Sequence, residues 1–526
     1  MNRAFCNKCG KLVPASREER DGRVFMIKVC PACGRTDTVI SNDAERYRIK
    51  RSLDGDHDYA GCALNCLDCK RKNVPTFVFM DITNRCNSNC PICINNTPSM
   101  GFLFEPPMEY FERVLRHYAA QDPRPAVQLF GGEPTVRDDL FEIIRFARSC
   151  GLPTRVVTNG LKLADEDYCR RLVQSRATIL IAYDGSNPQT YKVLRGNANH
   201  LRLKQKAFEN IRKVGGGKVA IMCCLAKGFN EEEIPELVRF CHERREFIRG
   251  IYFLPLAQTW ELEDLPLEPE RMTTEDIEVM FNDCFPSERI DFVPAGVLGE
   301  LGSIMKCLGI KPPPFAGAHP NCESMYLLIS NGERYLPLVH YLKGSVPDLV
   351  RGLFAAEKRL SRLVRKHERS LFGRVLSALR LKKGYLAMRA AMGVVWTLRR
   401  HLRLGRIIKG GRLGKVRHTI GIAAGLLSGA RTATVLERHT NCRGVLQIIV
   451  LPFEDKTVLE TDRLERCPNA FVFYDPRKDK VVSVPTCAWG LHKTPVLRDI
   501  AEFYSAREPA PTASGAQEQA AEEPAG

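Results

Sequence analysis

The sequence predicts an α/β protein whose core is a partial (β/α) barrel of six parallel strands. Between residues 74 and 260, short apolar runs alternate with amphipathic stretches of helical spacing, which is typical of βα units in a parallel sheet. Cysteines gather on the N-terminal side, with ten of the 21 in the first 93 residues. Positive charge gathers on the C-terminal side, so we expect distinct regions before and after the barrel.

Composition limits the class of protein. The chain has 526 residues, of which 44% are hydrophobic and 26% are charged, as in a globular protein of roughly two to four domains. It has no run of 18 uncharged apolar residues and its start, MNRAFCNKCG, has no apolar signal stretch, so we expect a cytoplasmic protein without a membrane-spanning helix. Since a reducing cytosol keeps thiols free, the cysteines indicate metal or redox chemistry instead of disulfides.

The first region, residues 1–45, contains two CxxC pairs that each precede a glycine. Four thiolates at this spacing can form a tetrahedral site for zinc or for one rubredoxin-like iron, and the spacing leaves that choice open. A purely structural interpretation, in which the ribbon only folds an N-terminal cap, is also open. The predicted ligands are Cys6, Cys9, Cys30 and Cys33.

The next regions follow from apolar runs, helical spacing and composition. Residues 46–73 hold a cysteine triplet, and residues 74–260 form the barrel core. Its predicted strands are Thr76–Ile82, Val127–Phe130, Thr154–Thr158, Ile179–Tyr183, Val219–Leu225 and Gly250–Leu254, with helices such as Leu140–Ser149 and Glu231–Arg244 between them. Residues 261–345 extend the barrel, 346–435 are a basic insertion, 436–506 are a second cysteine-bearing region, and the polar tail 507–526 is predicted to be disordered.

Two motifs at strand ends carry the chemistry. Cys86, Cys90 and Cys93 follow the first strand, and three thiolates can hold three irons of a [4Fe–4S] cluster while the fourth iron stays open. A structural zinc site is the alternative. The next strand ends in Gly131-Gly132-Glu133, where the glycines let the backbone approach a ligand and the carboxylate can bind an ammonium group, which argues against the zinc alternative.

With these motifs the core resembles the radical S-adenosylmethionine (SAM) superfamily. The resemblance implies that the open iron chelates SAM, that an electron from a donor such as ferredoxin or flavodoxin cleaves it, and that the resulting 5′-deoxyadenosyl radical removes hydrogen from an unactivated carbon. No acid–base pair of side chains is therefore predicted. The implied cluster ligands are Cys86, Cys90 and Cys93, and the implied SAM-binding residues are Gly131, Gly132, Glu133, Asn159, Asp184, Ser186 and Arg195, with Asn230 a weaker candidate.

A narrower resemblance covers the flanks of the barrel. The triplet Cys62-x3-Cys66-x2-Cys69 and the motifs around Cys322, Cys467 and Cys487 resemble the radical SAM subfamily that contains the archaeal tetraether lipid synthase and the methanopterin-type methylases. That subfamily implies auxiliary [4Fe–4S] clusters. Eight cysteines would complete two of them: Cys62, Cys66, Cys69, Cys307, Cys322, Cys442, Cys467 and Cys487, although Cys307 and Cys442 match no motif. The other six are predicted core thiols: Cys150, Cys169, Cys223, Cys224, Cys241 and Cys284.

The basic insertion holds the whole charge imbalance of the chain. Residues 351–417 contain 20 Lys and Arg against two acids, or +18, whereas the chain as a whole carries +17. A helix over Lys358–Leu379 would place basic residues on one face and Leu360, Val364, Leu371 and Val375 on the other, as in a helix that binds an anionic membrane surface. The apolar stretches Tyr385–Leu398 and Ile420–Leu427 are too short to span a bilayer. The alternatives are a solvated basic face packed on the barrel and a nucleic-acid surface, for which four aromatic residues offer little stacking.

These observations predict an enzyme that joins lipid hydrocarbon chains through a new carbon–carbon bond, peripherally attached to the inner membrane surface. One alternative is a radical SAM methyltransferase that acts on a pterin or another small molecule. A long apolar groove favours the lipid and a narrow polar pocket favours the pterin. An RNA-binding or RNA-modifying protein that uses the basic insertion is the alternative from another class.

Overall fold

The computed structural model describes residues 2–55, 57, 61–69, 75–95, 100–257, 270–310, 315–370, 382–427 and 432–506. The predicted disordered tail, 507–526, and the second half of the predicted helix over Lys358–Leu379 lie outside the described residues.

The N-terminal region, predicted to be a metal ribbon, is a four-stranded antiparallel sheet. Its strands are β1 (Arg3–Phe5), β2 (Leu12–Arg20), β3 (Arg23–Cys30) and β4 (Gly34–Ser41), followed by helix α1 (Ala44–Arg51). The cysteines lie in the two turns that join β1 to β2 and β3 to β4. The glycine of each turn has a positive φ, +66° at Gly10 and +76° at Gly34, which a residue with a side chain rarely adopts.

The barrel core contains the six predicted strands, in the predicted order and all parallel. They are β5 (Phe77–Thr83), β6 (Ala126–Gly131), β7 (Thr154–Thr158), β8 (Thr178–Ala182), β9 (Val219–Leu225) and β10 (Ile248–Pro255). The helices between them are α2 (Met108–Ala119), α3 (Leu140–Ser149), α4 (Glu166–Gln174), α5 (Pro188–Arg195), α6 (His200–Val214) and α7 (Glu233–Glu243). The apolar faces of these helices cover the outside of the sheet in one continuous core.

The C-terminal residues extend this sheet instead of forming a sheet of their own. The remaining strands are β11 (Val293–Pro294), β12 (Ser324–Ser330), β13 (Tyr335–Pro337), β14 (Gly444–Val450), β15 (Asn469–Asp475) and β16 (Lys480–Pro485). β14 pairs in parallel with β10, and β15 pairs in parallel with β5, so the parallel run has eight strands instead of six. The sequence shows that these runs are apolar, but pairing between strands so far apart along the chain is not visible in a local pattern.

The basic insertion is helical in its described part. The later helices are α8 (Thr274–Asp283), α9 (Gly302–Leu308), α10 (Val346–Arg369), α11 (Lys382–His401), α12 (Leu404–Ile407), α13 (Arg412–Leu427), α14 (Thr432–His439), α15 (Thr461–Glu465) and α16 (Lys493–Ser505). The apolar side of α10 was expected to face lipid. It is instead covered by α9 and α11, because Leu360 is buried against Ile304 and Ala390.

Two helices of the insertion expose apolar side chains, α13 with Leu413, Val416 and Ile420, and α11 with a longer stripe. Met388, Met392, Val395 and Trp396 are each more than half exposed, and their spacing places them on one side of this helix. The guanidinium groups of Arg359 and Arg400 lie over the Trp396 ring, 5.4 and 5.6 Å from its centroid. Among the described residues, no helix is both long enough and apolar enough to cross a membrane.

Candidate active site

A cavity opens at the carboxyl ends of the barrel strands, where the predicted site residues were expected to meet. It is lined by side chains from all six core strands, by the loop after β5 and by residues just after β14, and its empty space, counted to the open mouth, is about 1380 Å³. The walls are mostly apolar and aromatic, with Phe77, Phe79, Phe130, Tyr252, Phe315 and Phe453 among them.

The three predicted cluster ligands lie together in the loop after β5. Cys86, Cys90 and Cys93 all line the cavity. Partial desolvation, followed by the negative charge of Glu133 and of the two other cysteines, raises the pKa of the Cys86 thiol to about 12, so these groups lie within electrostatic reach of one another. Each thiolate of a [4Fe–4S] cluster binds a different iron, and three thiolates on one loop beside an open cavity fit such a cluster.

The two glycines at the end of β6 line the cavity and also have a packing role that we had not expected. A Cβ atom on Gly131 would collide with the backbone oxygen of Thr83, and one on Gly132 would collide with that of Arg85. The Gly132 and Glu133 amides donate to these same oxygens at 2.7 and 2.8 Å. The glycines therefore let the end of β6 pack against the backbone that leads into the cluster loop, and their expected role of admitting a ligand stays a prediction.

Glu133 is held rigidly at the rim of the cavity. It is 1% exposed, and its Oε1 accepts hydrogen bonds from Thr158 Oγ1 at 2.6 Å and from the side chain and amide of Thr135. Its Oε2 accepts from the Asn159 amide at 2.6 Å. Because a carboxylate oxygen accepts more than one hydrogen bond, Oε2 keeps capacity for an ammonium group, as a SAM-binding carboxylate requires.

Arg195 reaches the cavity and Asp184 holds it there. The Asp184 carboxylate is fully buried and accepts from Arg195 Nε and Nη2, each at 2.8 Å, and from the Cys224 amide at 2.9 Å. Burial alone would raise the pKa of Asp184, but Arg195 outweighs it and holds that pKa below its usual range. Asp184 does not line the cavity itself, and its carboxylate positions Arg195, which does.

Two other predicted SAM contacts lie away from the cavity lining. The exposed Ser186 donates its amide to Glu233 at 2.9 Å. Asn230 is buried and braces the end of β9 through Ala226 and Cys224. Asn159, by contrast, lines the cavity, and its side chain donates to Asn87 Oδ1 in the cluster loop at 2.7 Å.

The structure adds a buried lysine that the sequence analysis missed. Lys204 of α6 is 1% exposed and donates to the backbone oxygens of Asn159 and Ala182, at the ends of β7 and β8. Burial, followed by the positive charge of Arg195, lowers the pKa of Lys204 to about 8. A lysine at helical spacing with the apolar residues Leu201, Phe208 and Ile211 was the signal that could have revealed it.

A second missed group joins the C-terminal region to the cluster loop. Lys493 is buried and donates to Asn95 Oδ1 at 2.7 Å and to Asp81 at 3.2 Å, and Trp489 Nε1 donates to the same Asp81 carboxylate at 2.8 Å. Asn95, two residues after the last cluster cysteine, donates in turn to the backbone oxygen of Gly131. The C-terminal residues thus help to fix both motifs of the site.

The ribbon cysteines form the metal site that their spacing predicted. The thiol sulfurs of Cys6, Cys9, Cys30 and Cys33 all lie within 4.8 Å of one another, and Cys6 and Cys30 are buried. Four thiolates this close together fit one tetrahedral ion. The ribbon packs against the chain before Cys467, where Arg17 binds Glu460 at 2.8 Å.

Three predicted auxiliary ligands, Cys322, Cys467 and Cys487, lie within electrostatic reach of one another. Burial raises the pKa of the Cys322 thiol, and the negative charges of Glu323, Cys487 and Cys467 raise it further. Burial, followed by the charges of Glu454 and Cys467, likewise raises the pKa of the Cys487 thiol. The first triplet lies close by, because the Gly61 amide donates to Glu465 at 3.0 Å. Since the first triplet begins beside the segment that carries Cys467, we expect the six motif cysteines to form one neighbourhood: Cys62, Cys66, Cys69, Cys322, Cys467 and Cys487.

The grouping of eight auxiliary cysteines is not supported by the structure. Cys307 packs among the apolar side chains of α9, α10 and α11. Cys442 lies just before Gly444, the first residue of β14, which pairs with Ser330 at the end of β12. Cys322 lies just before Ser324, at the opposite end of β12. Seven-residue strands separate Cys442 from Cys322 by about 20 Å. Of the six predicted core thiols, Cys169, Cys223 and Cys241 are buried, Cys150 and Cys284 are partly buried, and Cys224 lines the cavity.

Comparison with known proteins identifies the chemistry of this site. The family model described as the radical SAM superfamily matches residues 80–241, and the HMPTM N-terminal zinc ribbon domain matches residues 2–42. The 7,8-dihydro-6-hydroxymethylpterin dimethyltransferase of Methanocaldococcus jannaschii is 31% identical over 354 residues, which cover 64% of this chain and 70% of the relative. The chain belongs to the radical SAM superfamily. Within it, this radical SAM enzyme is a member of the zinc-ribbon methylase family of that relative.

More distant relatives match a smaller share of the chain. A probable GTP 3′,8-cyclase of Methanothermobacter thermautotrophicus is 28% identical over 179 residues, covering 33% of this chain and 56% of the relative. Among solved structures, Streptococcus suis SuiB bound to S-adenosylmethionine shows 19% identity and a TM-score of 0.30, covering 46% of this chain and 64% of that one. The radical SAM enzyme described here thus binds a [4Fe–4S] cluster and SAM, as its family does, and carries a metal in its ribbon.

Proposed function

We propose that this radical SAM enzyme forms a carbon–carbon bond on a compact ring substrate of the pterin type, by methylation. The observation that carries the proposal is the lining of the cavity, which combines flat aromatic side chains with the charged groups Glu133 and Arg195. Aromatic faces bind planar heterocycles by stacking. The relative at 31% identity acts on a pterin according to its name, which supports the same substrate class.

The residues of the site have separate tasks. Cys86, Cys90 and Cys93 would hold the cluster, and Glu133 would hold the ammonium group of SAM. The bound cluster and SAM supply a carbon-centred radical able to remove hydrogen from an unactivated carbon. The apolar walls keep water away from that carbon and orient the substrate toward the SAM side of the cavity.

The test is a product assay with two substrates. The anaerobically purified enzyme receives SAM, a low-potential reductant, a reduced folate as a one-carbon donor, and either 7,8-dihydro-6-hydroxymethylpterin or a membrane lipid. We expect the pterin to gain the mass of one or two methyl groups, and we expect the isosteric variant Glu133→Gln to form little product. A lipid product with two chains joined, together with an unchanged pterin, would contradict the proposal.

Lipid coupling is the second candidate, and one observation favours it. The exposed apolar stripe of α11 lies within a strongly basic region, as expected of a surface that binds an anionic membrane. The mostly apolar cavity walls also match the apolar lining that we expected for a lipid substrate, and not the polar pocket that we expected for a pterin. We place this candidate second because a charged arginine on the cavity wall, Arg155, is unfavourable against bare hydrocarbon.

A further inference from the structure

We propose that Arg155 binds an oxygen acceptor of the substrate, a carbonyl or an anionic oxygen, on the cavity wall remote from SAM. The proposal rests on the proposed function in one respect, that the substrate occupies this cavity. It assigns the feature of the substrate that the enzyme selects, and it applies to a pterin carbonyl and to an acyl carboxylate alike.

The position of Arg155 is set by the barrel. It is the second residue of β7, and its side chain lines the cavity together with Phe77 and Tyr252. The guanidinium carbon lies 4.7 Å from the centroid of the Phe77 ring and 5.6 Å from that of Tyr252. Arg155 Nη2 donates to the Tyr252 hydroxyl at 3.0 Å. These contacts hold the planar group in place at the cavity surface.

The charge of Arg155 lacks an acid partner in the part of the chain that the structure describes. Its Nε is shielded from solvent and makes no hydrogen bond there. The other arginine of the same cavity, Arg195, is matched by both oxygens of Asp184. Glu133, the carboxylate of the cavity lining, is already engaged by Thr158 and Asn159. Within the described ranges, one arginine of the cavity is therefore paired with a carboxylate and the other is not.

An unneutralised guanidinium in apolar surroundings favours a ligand that brings acceptor atoms. The two aromatic rings compensate for lost hydration only in part. An arginine presents donors in a flat fork that matches a carbonyl or carboxylate oxygen, so a substrate with such an oxygen gains a charge-assisted hydrogen bond. A substrate without one leaves the group unpaired and binds more weakly.

The distance along β7 also restricts the substrate. Arg155 lies three residues before Thr158, which donates to Glu133, so about 10 Å of strand separates the two ends of the site. A substrate whose oxygen meets Arg155 while its reacting carbon faces SAM must therefore be compact. This favours a fused ring system over a long extended chain.

The experiment compares two rings that differ at one atom. Binding of 6-hydroxymethylpterin and of 2,4-diamino-6-hydroxymethylpteridine, in which an amino group replaces the carbonyl oxygen, is measured by ring fluorescence on the cluster-loaded enzyme with SAM present. We expect the carbonyl ring to bind at least about tenfold more tightly. Arg155→Gln should abolish this preference and Arg155→Lys should keep part of it. Arg145→Gln, which removes an exposed arginine on α3, is the matched control and should keep all of it.

Each outcome separates this inference from the proposed function. Equal binding of the two rings to the native enzyme would overturn the role of Arg155 and leave the pterin proposal standing. If neither ring binds, the binding of dodecanoate and of dodecanol to the same proteins is compared by isothermal titration calorimetry. A preference for dodecanoate that Arg155→Gln removes would support the role of Arg155 and overturn the pterin substrate. Absence of any such preference would overturn both.

Discussion

Two arginines face the same cavity and differ in what balances their charge. Arg195 is paired through two hydrogen bonds with the buried carboxylate of Asp184, and Arg155 has aromatic faces and one phenol. The first arrangement fixes a guanidinium before any ligand arrives. The second leaves a guanidinium whose hydrogen bonding a ligand completes.

The Asp184–Arg195 pair yields the first prediction. Asp184→Asn keeps the shape of the side chain but leaves the buried charge of Arg195 uncompensated, which typically costs about 3–5 kcal/mol of folding free energy. We expect this loss in urea unfolding, with SAM affinity reduced at least about tenfold because Arg195 loses its position. The exposed Asp167→Asn is the control, and native-like SAM binding by Asp184→Asn would refute the positioning role.

Lys204 yields a prediction about pH. Its pKa is about 8 in the folded protein and 10.5 ordinarily, so between these values the unfolded chain binds a proton that the folded protein does not. Stability from this group therefore rises with pH across that window and is constant below it. The native enzyme should gain about 3 kcal/mol over Lys204→Met between pH 8 and pH 10.5, measured by urea unfolding. Parallel pH profiles for the two proteins would show that Lys204 keeps its ordinary pKa.

The sequence revealed site residues where a motif marks them. The cluster cysteines and Glu133 follow strand ends at fixed spacing and were found in this way. Lys204, Lys493 and Arg155 were missed, because one basic residue in a helix or strand gives no local sign of the partners that fold brings to it. The sequence analysis identified Asp184 as a site residue, but in the structure its partner Arg195 lines the cavity and Asp184 does not.

At the scale of elements, backbone hydrogen bonds from Gly132 and Glu133 attach the end of β6 to the start of the cluster loop. Gly132→Ala should disrupt this packing, because the added methyl group meets the backbone oxygen of Arg85 instead of a movable side chain. We expect about four fewer irons per chain in the anaerobically purified variant. Gly384→Ala in α11, where nothing lies within 4 Å of the added atom, is the control. Unchanged iron content in Gly132→Ala would contradict this role.

The separation of the auxiliary cysteines can be tested by iron analysis. Cys322→Ala and Cys467→Ala should each lower iron by up to about four atoms per chain, because both belong to the six-cysteine neighbourhood. Cys442→Ala and Cys307→Ala should leave iron unchanged, because one lies about 20 Å away along β14 and the other packs among helices. Loss of iron from Cys442→Ala would restore the grouping of eight.

Sequence patterns predicted elements better than their pairing. The strands Thr154–Thr158 and Val219–Leu225 and the helix Leu140–Ser149 match their expected bounds, because each is a short run with clear periodicity. The addition of β14 and β15 to the barrel edges was not predicted. Pairing of this kind depends on contacts between distant parts of the chain, and α10 shows the same limit, since its apolar face is covered by other helices.

At the scale of the molecule, α11 presents one apolar stripe within a basic surface. If this surface binds a membrane, the double variant Met392→Glu/Trp396→Glu should bind anionic vesicles about tenfold less tightly or worse, because two side chains lose an apolar environment. Leu103→Glu, an exposed apolar residue outside the insertion, should bind as the native enzyme does. Cosedimentation with vesicles measures both. Equal binding by all three proteins, or salt-sensitive RNA binding without vesicle binding, would contradict a membrane role.

The origin of β14 and β15 has a consequence for biosynthesis. These two strands flank the six-stranded core on opposite edges, yet both are encoded after residue 443, and Lys493 braces the cluster loop from later still. During translation the six core strands emerge first, while both edges of their sheet stay unpaired and the cluster loop lacks its brace. Iron–sulfur assembly in this enzyme is therefore expected to wait until residues 444–493 have left the ribosome, and a chain stalled before residue 443 should acquire no stable SAM-binding cluster.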